Sequence, residues 1–230
     1  MDRPYIICHM LVSYNNKISG SFMLTPEAAE LIGEYGRIDR EFNAKAWLCG
    51  KKTMEEFIQN KQPNLNNVIE KYPRTDFVAQ KDVSQYVVVI DPKGELGYEK
   101  SYLDKGGRKS YIIEVLNGEV SDRYIAYLKN MNISYIIAGE KELDLNLSMK
   151  KLKTLFGIEL LISHGGGYTN SRLFEAGLID ELSLVRVPLI EDNDKEISLF
   201  GSKEMQQSIF TLKSIKKLGN SGDWLRYLIK

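Results

Sequence analysis

The stretch that decides the predicted fold reads IELLIS at 158–163, HGGGYTN at 164–170 and SRLFEAG at 171–177. The first part is an apolar run, typical of a strand buried within a sheet. The three glycines that follow remove every Cβ from the turn, so that backbone N–H groups can approach a ligand closely. Thr169 or Asn170 can cap the next helix, and Gly177 is placed to end it. The stretch therefore predicts a strand, a glycine turn and a short helix.

This junction also predicts an anion site. A helix N-terminus behind a glycine turn presents free N–H groups and the positive end of the helix dipole to the same point. A phosphate or pyrophosphate is the natural ligand. The alternative is an ordinary tight turn between a strand and a helix, and a glycine run alone does not decide between the two.

Composition limits the class of protein. A chain of 230 residues can form one large α/β domain, and we predict a single domain over residues 1–230. The apolar share of 43% is enough for a core. The formal net charge is zero, so no overall basic field attracts nucleic acid or a membrane surface, and we expect neither as a partner.

The N-terminus and the cysteines predict a cytoplasmic protein. The first residues lack the basic, apolar and small-residue order of a signal peptide, and no apolar run approaches the roughly 20 residues of a membrane-spanning helix. Cys8 and Cys49 each lie within an apolar run. Such cysteines are expected to be buried thiols rather than a disulfide or a metal pair.

The order of the predicted elements indicates the architecture. Strands and helices alternate as far as Gly177, and strands then follow strands, with a hairpin turn at 219–222. We predict an α/β fold with a largely parallel, mixed central sheet, helices on both faces and a C-terminal antiparallel hairpin. The predicted strands are 5–12, 44–49, 86–90, 111–115, 133–138, 158–163, 181–187, 210–218 and 224–229. The predicted helices begin at Thr25-Pro26 and at Thr53, and cover 122–131, 147–156 and 170–176.

In open α/β sheets, ligands bind at the carboxyl ends of the strands. Four predicted strand ends carry glycines or turn residues: Gly50, residues 91–94, Gly139 and residues 165–167. Two of these ends run into helix N-termini, as the two phosphates of a dinucleotide require. Lys51, Lys52 and Lys93 can add positive charge for a further phosphate, although each can equally be a solvated surface residue. A long polar segment at 60–82 indicates function or mobility by its length.

No hydrolase motif or metal-ligand spacing is present, and we predict no metal. His9 lies within an apolar run and is expected to be a satisfied interior residue. His164 at the glycine turn is the better functional candidate, with a structural role as the alternative.

The sequence resembles a known family at several motifs. GKKTMEE at 50–56 resembles the G-[RK]-x-T-x-E segment of dihydrofolate reductases, and HGGGY at 164–168 resembles their pyrophosphate turn. The pyrimidine reductases of riboflavin biosynthesis, of the type of the RibD C-terminal domain, are more similar. That similarity spans nearly the whole chain and includes EAGLIDEL at 175–182. It is most specific in the last block, which runs from there through PLI at 188–190 to LFG at 199–201.

The resemblance implies a homodimer that uses NADPH to reduce the ribose of a phosphoribosyl-aminopyrimidine to ribitol. By position, it implies cofactor contacts from Gly50, Thr53, Asp91 with the turn after it, and the glycine turn: Gly165, Gly166, Gly167, Tyr168 and Thr169. Lys51 and Lys93, by their charge, and Gly139, by its place at a strand end, complete the predicted cofactor contacts. The resemblance also implies substrate contacts from the first loop and the helix after it: Asn15, Lys17, Ser21, Thr25 and Glu27.

Three departures from the family pattern fall on the substrate side. The first loop reads SYNNK at 13–17 where the family usually has S-x-D-G-K, no Asp-Pro follows the second helix start, and His164 replaces a common glutamate. A reductase of another pyrimidine or of a pterin is therefore an alternative. A nucleotide-binding protein without catalysis is a second one.

Hydride transfer asks the protein mainly to position a cofactor and to supply a proton. The candidates for the proton are His164, Lys17, Glu56 and Glu27. Imidazole exchanges protons near neutral pH without any perturbation, which favours His164. Glu27 can instead be a favourable charge in the first turn of a helix.

Overall fold

The fold is that of a computed structural model, which describes residues 1–66, 68, 70–105, 107–201 and 209–229. Strands and helices alternate through most of these residues. The helices are α1 (Pro26–Glu41), α2 (Lys51–Phe57), α3 (Asp122–Asn130), α4 (Leu145–Phe156) and α5 (Gly167–Glu175). The strands are β1 (Tyr5–Val12), β2 (Ala46–Gly50), β3 (Tyr86–Ile90), β4 (Tyr102–Lys105), β5 (Arg108–Leu116), β6 (Ser134–Ile137), β7 (Leu160–Ser163), β8 (Glu181–Arg186), β9 (Phe210–Leu218) and β10 (Gly222–Ile229).

The chain forms two compact units. Residues 1–4 and 45–161 form the first unit, and residues 5–44 and 162–230 form the second. The single domain over residues 1–230 stays a prediction.

The first unit contains a mostly parallel set of strands. β2 pairs with β3, β3 with β5 and β5 with β6 in parallel, whereas β4 lies antiparallel against β5. Val88, at the centre of β3, is completely buried between Leu48 of β2 and Ile113 of β5. β4 is absent from the sequence prediction because a four-residue strand with two charged residues shows no detectable period.

The second unit contains both parallel and antiparallel strand pairs. β1 and β8 are parallel, and β10 pairs antiparallel with both β8 and β9. α1 packs on these strands through Leu31, in a core that also holds Leu11, Val185 and Trp224. The predicted α/β class, with a mixed sheet and a C-terminal antiparallel hairpin, is confirmed.

The helix starts match the prediction at α1 and α3 and differ at α2, α4 and α5. The start predicted for α4 at 147 is two residues late, since α4 begins at Leu145 after the cap residue Asp144. Thr25 caps α1, because its hydroxyl oxygen accepts the N–H of Ala28 at 3.2 Å, and Pro26 follows as the first helical residue. The cap predicted at Thr53 is wrong, since α2 begins at Lys51 after Gly50. A glycine supplies the extended backbone before that helix without any capping side chain.

The cap predicted for α5 is also wrong. α5 begins at Gly167, with Gly166 as its N-cap residue, so Thr169 and Asn170 lie inside the helix. The sequence does not indicate the true start of α5, because a threonine and an asparagine after a glycine run fit a cap and a first turn equally well. Gly177 follows the helix end with φ +64°, as predicted for a terminating glycine.

The long polar segment packs along the first unit. Arg74 donates to Asp122 at 2.6 Å, Phe77 pairs with Tyr135 of β6, and Asp76 accepts the N–H of Ile137 at 2.9 Å. Residues 67 and 69 of the segment lie outside the described residues. The segment therefore has structural contacts that its composition does not reveal.

Both cysteines are buried, and neither forms a disulfide, as predicted. Burial raises the pKa of the Cys8 thiol to about 12, so that this sulfur stays protonated.

Candidate active site

The glycine turn lies in the second unit, between β7 and α5. Gly165 has φ +71°, a conformation in which other residues are strained, and a Cβ there would lie 2.7 Å from the side-chain nitrogen of Asn170. The Asn170 amide is completely buried, accepts a hydrogen bond from Ser163 Oγ at 3.2 Å and donates one to the carbonyl of Leu199 at 3.0 Å. Asn170 therefore fixes the shape of the turn from the inside.

Gly167 makes room for protein rather than for a ligand. A Cβ there would lie 2.6 Å from the carbonyl oxygen of Ser198 and 2.8 Å from the amide nitrogen of Gly201. No side chain caps α5, however, so the N–H groups of its first turn keep the capacity to bind an anion. Within that turn Tyr168 is 72% exposed and Thr169 is buried. The cofactor contacts assigned to residues 165–169 stay a prediction.

His164 pairs with a carboxylate that the sequence analysis did not find. Its Nε2 lies 2.8 Å from Asp39 Oδ1, and both side chains are mostly buried, 17% and 25% exposed. Asp39 lies near the end of α1, 125 residues away along the chain. No local signal could join the two, because the pairing depends on the packing of α1 beside the end of β7. An imidazole held by a carboxylate has a fixed ring orientation, which suits proton transfer.

The first loop carries the predicted substrate residues and is tied down by one later segment. The Lys17 ammonium donates to the carbonyls of Glu196 at 2.8 Å and Asp194 at 3.3 Å. Asn15 and Ser21 both bond to Glu191, a buried residue that sequence reasoning missed. Hydrogen bonds from the backbone amides of Asn193 and Phe22 and from the Ser21 hydroxyl hold the pKa of the Glu191 carboxyl below its ordinary value.

The other two predicted substrate residues lie at the start of α1. The Thr25 hydroxyl serves as the helix cap and also donates to the carbonyl of Phe22 at 2.8 Å. Glu27 is exposed in the first turn of the helix, where a negative charge is favourable.

The first unit holds the remaining cofactor candidates. Lys51 forms an ion pair with Glu95, which raises the pKa of the lysine, whereas Lys93 is exposed. Gly139 has φ +85° and packs against the backbone of Glu142, with which a Cβ would collide at 2.1 Å. Thr53 is partly buried in α2, and the catalytic candidate Glu56 is exposed on the same helix.

Asp91 is completely buried and organises the turn after β3. Its Oδ2 accepts the N–H groups of Glu95 at 2.7 Å and Leu96 at 3.0 Å. The carboxyl of Glu114 on β5 is also completely buried, and the Tyr98 hydroxyl donates to it. Burial and the nearby Asp91 raise the pKa of Glu114 well above its ordinary value. The structure thus gives Asp91 a structural task, while its predicted cofactor contact stays a prediction.

Within the described ranges, no group of three or more histidine, cysteine or acidic side chains could hold a metal ion. Nor does that part of the chain contain a helix with the length and apolar character of a membrane span.

Parallel and antiparallel strand pairs with intervening helices, and a glycine turn before an uncapped helix start, are the features of an α/β domain with an anion site. The family model of the RibD C-terminal domain matches residues 5–222, and the chain belongs to this family. The motifs at the glycine turn and at residues 175–182 had indicated the same family.

Solved structures share the fold at low sequence identity. A pyrimidine reductase-like protein from Corynebacterium diphtheriae is 15% identical, with a TM-score of 0.70 over 99% of this chain and 92% of that one. RibD from Acinetobacter baumannii is 16% identical, with a TM-score of 0.66, and the whole of this chain covers 59% of that protein. A riboflavin biosynthesis reductase from Saccharomyces cerevisiae is 13% identical, with a TM-score of 0.61 over 100% of this chain and 91% of the yeast protein.

Proposed function

We propose that this protein reduces the ribose of 5-amino-6-(5-phosphoribosylamino)uracil to ribitol, with NADPH as the hydride donor, in riboflavin biosynthesis. Membership of the RibD C-terminal domain family, together with the reductases among the solved structures, supports a pyrimidine reductase role. One structural observation carries the cofactor half of the proposal. The first turn of α5 follows a glycine turn and has no capping side chain, which suits a pyrophosphate.

The proposed pyrophosphate contacts are backbone groups of the second unit. The N–H groups at the start of α5 would bind the pyrophosphate. The cofactor, when bound, supplies a hydride.

The reaction also needs one proton. A C–H bond forms at C1′ of the ribose, the bond between C1′ and O4′ breaks, and its electron pair goes to O4′. A proton then converts O4′ to a hydroxyl group of ribitol. We assign this proton to His164, oriented by Asp39. The alternatives are weaker, because the Lys17 ammonium is held by two carbonyls and Glu56 is exposed on α2.

We place the protein in the cytoplasm. Two buried cysteines that form no disulfide are compatible with a reducing compartment.

We propose a homodimer formed through the hairpin of the second unit. Among the described strands, β9 pairs with β10 alone, so its other edge is open. Leu212 and Ile215 are 53% and 57% exposed and lie on the same face, because they pair with Tyr227 and Leu225. An open edge with exposed apolar side chains is a natural surface for a second copy.

Sedimentation tests this dimer. We expect a mass of twice 26.3 kDa for the wild type and a monomer for Leu212→Lys/Ile215→Lys. Thr211→Lys, which alters the opposite face of β9, is the matched control and should remain a dimer. A wild-type monomer at all accessible concentrations would contradict the proposal.

The function is tested by binding and turnover together. NADPH and NADH are titrated against the fluorescence of Trp47 and Trp224, and oxidation of the bound nicotinamide is followed with the pyrimidine and with dihydrofolate. We expect NADPH to bind with a micromolar Kd, a binding free energy of about −8 kcal/mol. We expect turnover with the pyrimidine and none with dihydrofolate. His164→Gln should bind NADPH normally and lower kcat about a hundredfold, since a general acid contributes at least that factor.

Each other outcome selects an alternative. Turnover of dihydrofolate alone would favour a pterin reductase, and tight NADPH binding without turnover would favour a nucleotide-binding protein without catalysis. If neither nicotinamide cofactor binds, the proposal fails in all its forms.

A further inference from the structure

We propose that Glu191 is the positioning residue of the substrate loop, residues 13–24. This inference rests on the proposed function, in which the loop contacts the pyrimidine. Glu191 belongs to residues 188–201, here called the strap, which connects β8 towards β9. It is only 4% exposed, whereas its neighbour Asp192 is exposed. A carboxylate at such a place is stable only when donors surround it.

The loop provides two of those donors. Glu191 Oε2 accepts the Ser21 hydroxyl at 3.0 Å and the Phe22 N–H at 3.2 Å, and Oε1 accepts the N–H of Asn193 at 3.2 Å. Gly20 has φ +125°, and a Cβ there would lie 2.3 Å from Oε2. The carboxylate therefore lies in direct contact with the loop, and the loop residue at that contact is a glycine.

The backbone of Glu191 holds the other end of the loop. Asn15 Nδ2 donates to the Glu191 carbonyl at 2.8 Å, and the Glu191 N–H donates to Asn15 Oδ1 at 3.1 Å. This is a reciprocal pair, which fixes the Asn15 amide in one orientation. One residue of the strap thus sets Asn15 and Ser21, two of the predicted substrate contacts, from opposite ends of the loop.

Further hydrogen bonds join the backbone of the loop to that of the strap. Ile18 N–H donates to the carbonyl of Ile197 at 2.8 Å, and Leu199 N–H donates to that of Asn16 at 2.9 Å. Phe22 is the one large side chain at 13–24 that is fully part of the core of the second unit. Removal of the Glu191 carboxylate should therefore loosen the loop without opening the core. The glycine turn is held by Asn170, which bonds to Ser163 and to the carbonyl of Leu199, eight residues beyond Glu191 in the strap. Loss of the Glu191 carboxylate leaves these bonds in place, so the cofactor contacts should be spared.

The test compares Glu191→Ala and Glu191→Gln with Asp192→Asn as the matched control. In Glu191→Ala we expect KM for the pyrimidine to rise about tenfold, the NADPH Kd to stay within about twofold, and amide exchange to accelerate across 13–24 only. Glu191→Gln should be intermediate, because its amide oxygen still accepts one donor while its NH₂ group opposes an N–H. Asp192→Asn should match the wild type in all three measurements.

Unchanged KM and unchanged exchange at 13–24 in Glu191→Ala would overturn the inference. So would an equal rise of KM and NADPH Kd with exchange accelerated throughout the second unit, which is the signature of a merely structural residue. If Glu191→Ala does not fold, Glu191→Gln decides by the same measurements. If the wild type does not turn over the pyrimidine, the proposed function fails, and amide exchange at 13–24 still decides whether Glu191 holds the loop.

Discussion

Arg226→Met is expected to lower the free energy of unfolding by about 3 kcal/mol, because it leaves a buried carboxylate with one cation in place of two. Glu181 has no exposed surface, and its oxygens bind Arg226 Nε, Lys213 Nζ at 2.8 Å and the Tyr5 hydroxyl at 3.2 Å. Burial, followed by the charge of Glu181, raises the pKa of Tyr5 to about 12, so the tyrosine remains a donor. Methionine preserves the apolar stem of the arginine, so that the loss reports the charge.

Urea denaturation measures the loss. Arg37→Met is the control, since Arg37 is 44% exposed and forms ion pairs with Glu34 and Glu41 on the surface of α1. Such pairs contribute about 0–1 kcal/mol. Adding Glu181→Leu to Arg226→Met should restore part of the stability, because the stranded carboxylate is then gone. Equal losses in Arg226→Met and Arg37→Met would contradict the assigned role of the pair.

The second large effect is a loss of stability on acidification, caused by His9. The pKa of His9 is lowered to about 4, from 6.5 in the unfolded chain, mainly by burial and in smaller part by the nearby His164. The unfolded chain therefore binds a proton on His9 near pH 6.5, whereas the folded protein does not bind it at that pH. The stabilisation is complete above pH 6.5 and is lost as the pH falls towards 4, by about 1.4 kcal/mol per pH unit and about 3 kcal/mol in all.

Burial keeps His9 neutral, since its hydrogen bonds to the carbonyls of Tyr35 and Ser183 by themselves raise its pKa. Nε2 lies 3.1 Å from the carbonyl of Tyr35, which can only accept, so Nε2 carries the hydrogen. Trp224 Nε1 donates to Ser183 Oγ at 2.8 Å, and the Ser183 hydroxyl in turn reaches His9 Nδ1 at 2.9 Å. The ring also stacks on Tyr35 at 4.2 Å. A neutral imidazole satisfies every one of these contacts, and the prediction of an interior histidine is confirmed.

His9→Gln removes this titration. Between pH 7 and pH 5, the wild type should lose about 2 kcal/mol more than His9→Gln. Both proteins have the same carboxylates, so the difference between their slopes of unfolding free energy against pH reports His9 alone. Parallel stability curves for the two proteins would show that His9 does not cause the acid sensitivity.

The residues that carried the family resemblance are partly structural. Asp180 Oδ2 accepts the N–H of Ile6 at 2.7 Å, and the Ile6 carbonyl accepts the N–H of Asp180, so this residue joins β8 to β1. Glu181 forms ion pairs with Lys213 and Arg226 of the hairpin. The sequence shows an Asp-Glu pair at the start of a strand. It does not indicate that Asp180 binds a backbone N–H 174 residues away, or that Glu181 pairs with a lysine 32 residues away.

Most of the elements and their order were predictable, because apolar runs, glycines and prolines act locally. The cap of α1 at Thr25, the stop of α4 at Gly157 with φ +62° and the hairpin turn at 219–222 all agree with the structure. The starts of α2 and α5 were wrong by two or three residues. A glycine can replace a capping side chain there, and sequence alone does not show which residue does so.

The sequence by itself determined the class of fold, the glycine turn and the family, since these depend on patterns within short stretches of chain. Tertiary structure decided what the individual side chains do. Asn170 supports the glycine turn from the inside, Lys17 donates to two carbonyls of the strap, and His164 pairs with Asp39. The physical reason is that hydrogen bonds and ion pairs form between groups that packing brings within about 3 Å, and separation along the chain does not limit them.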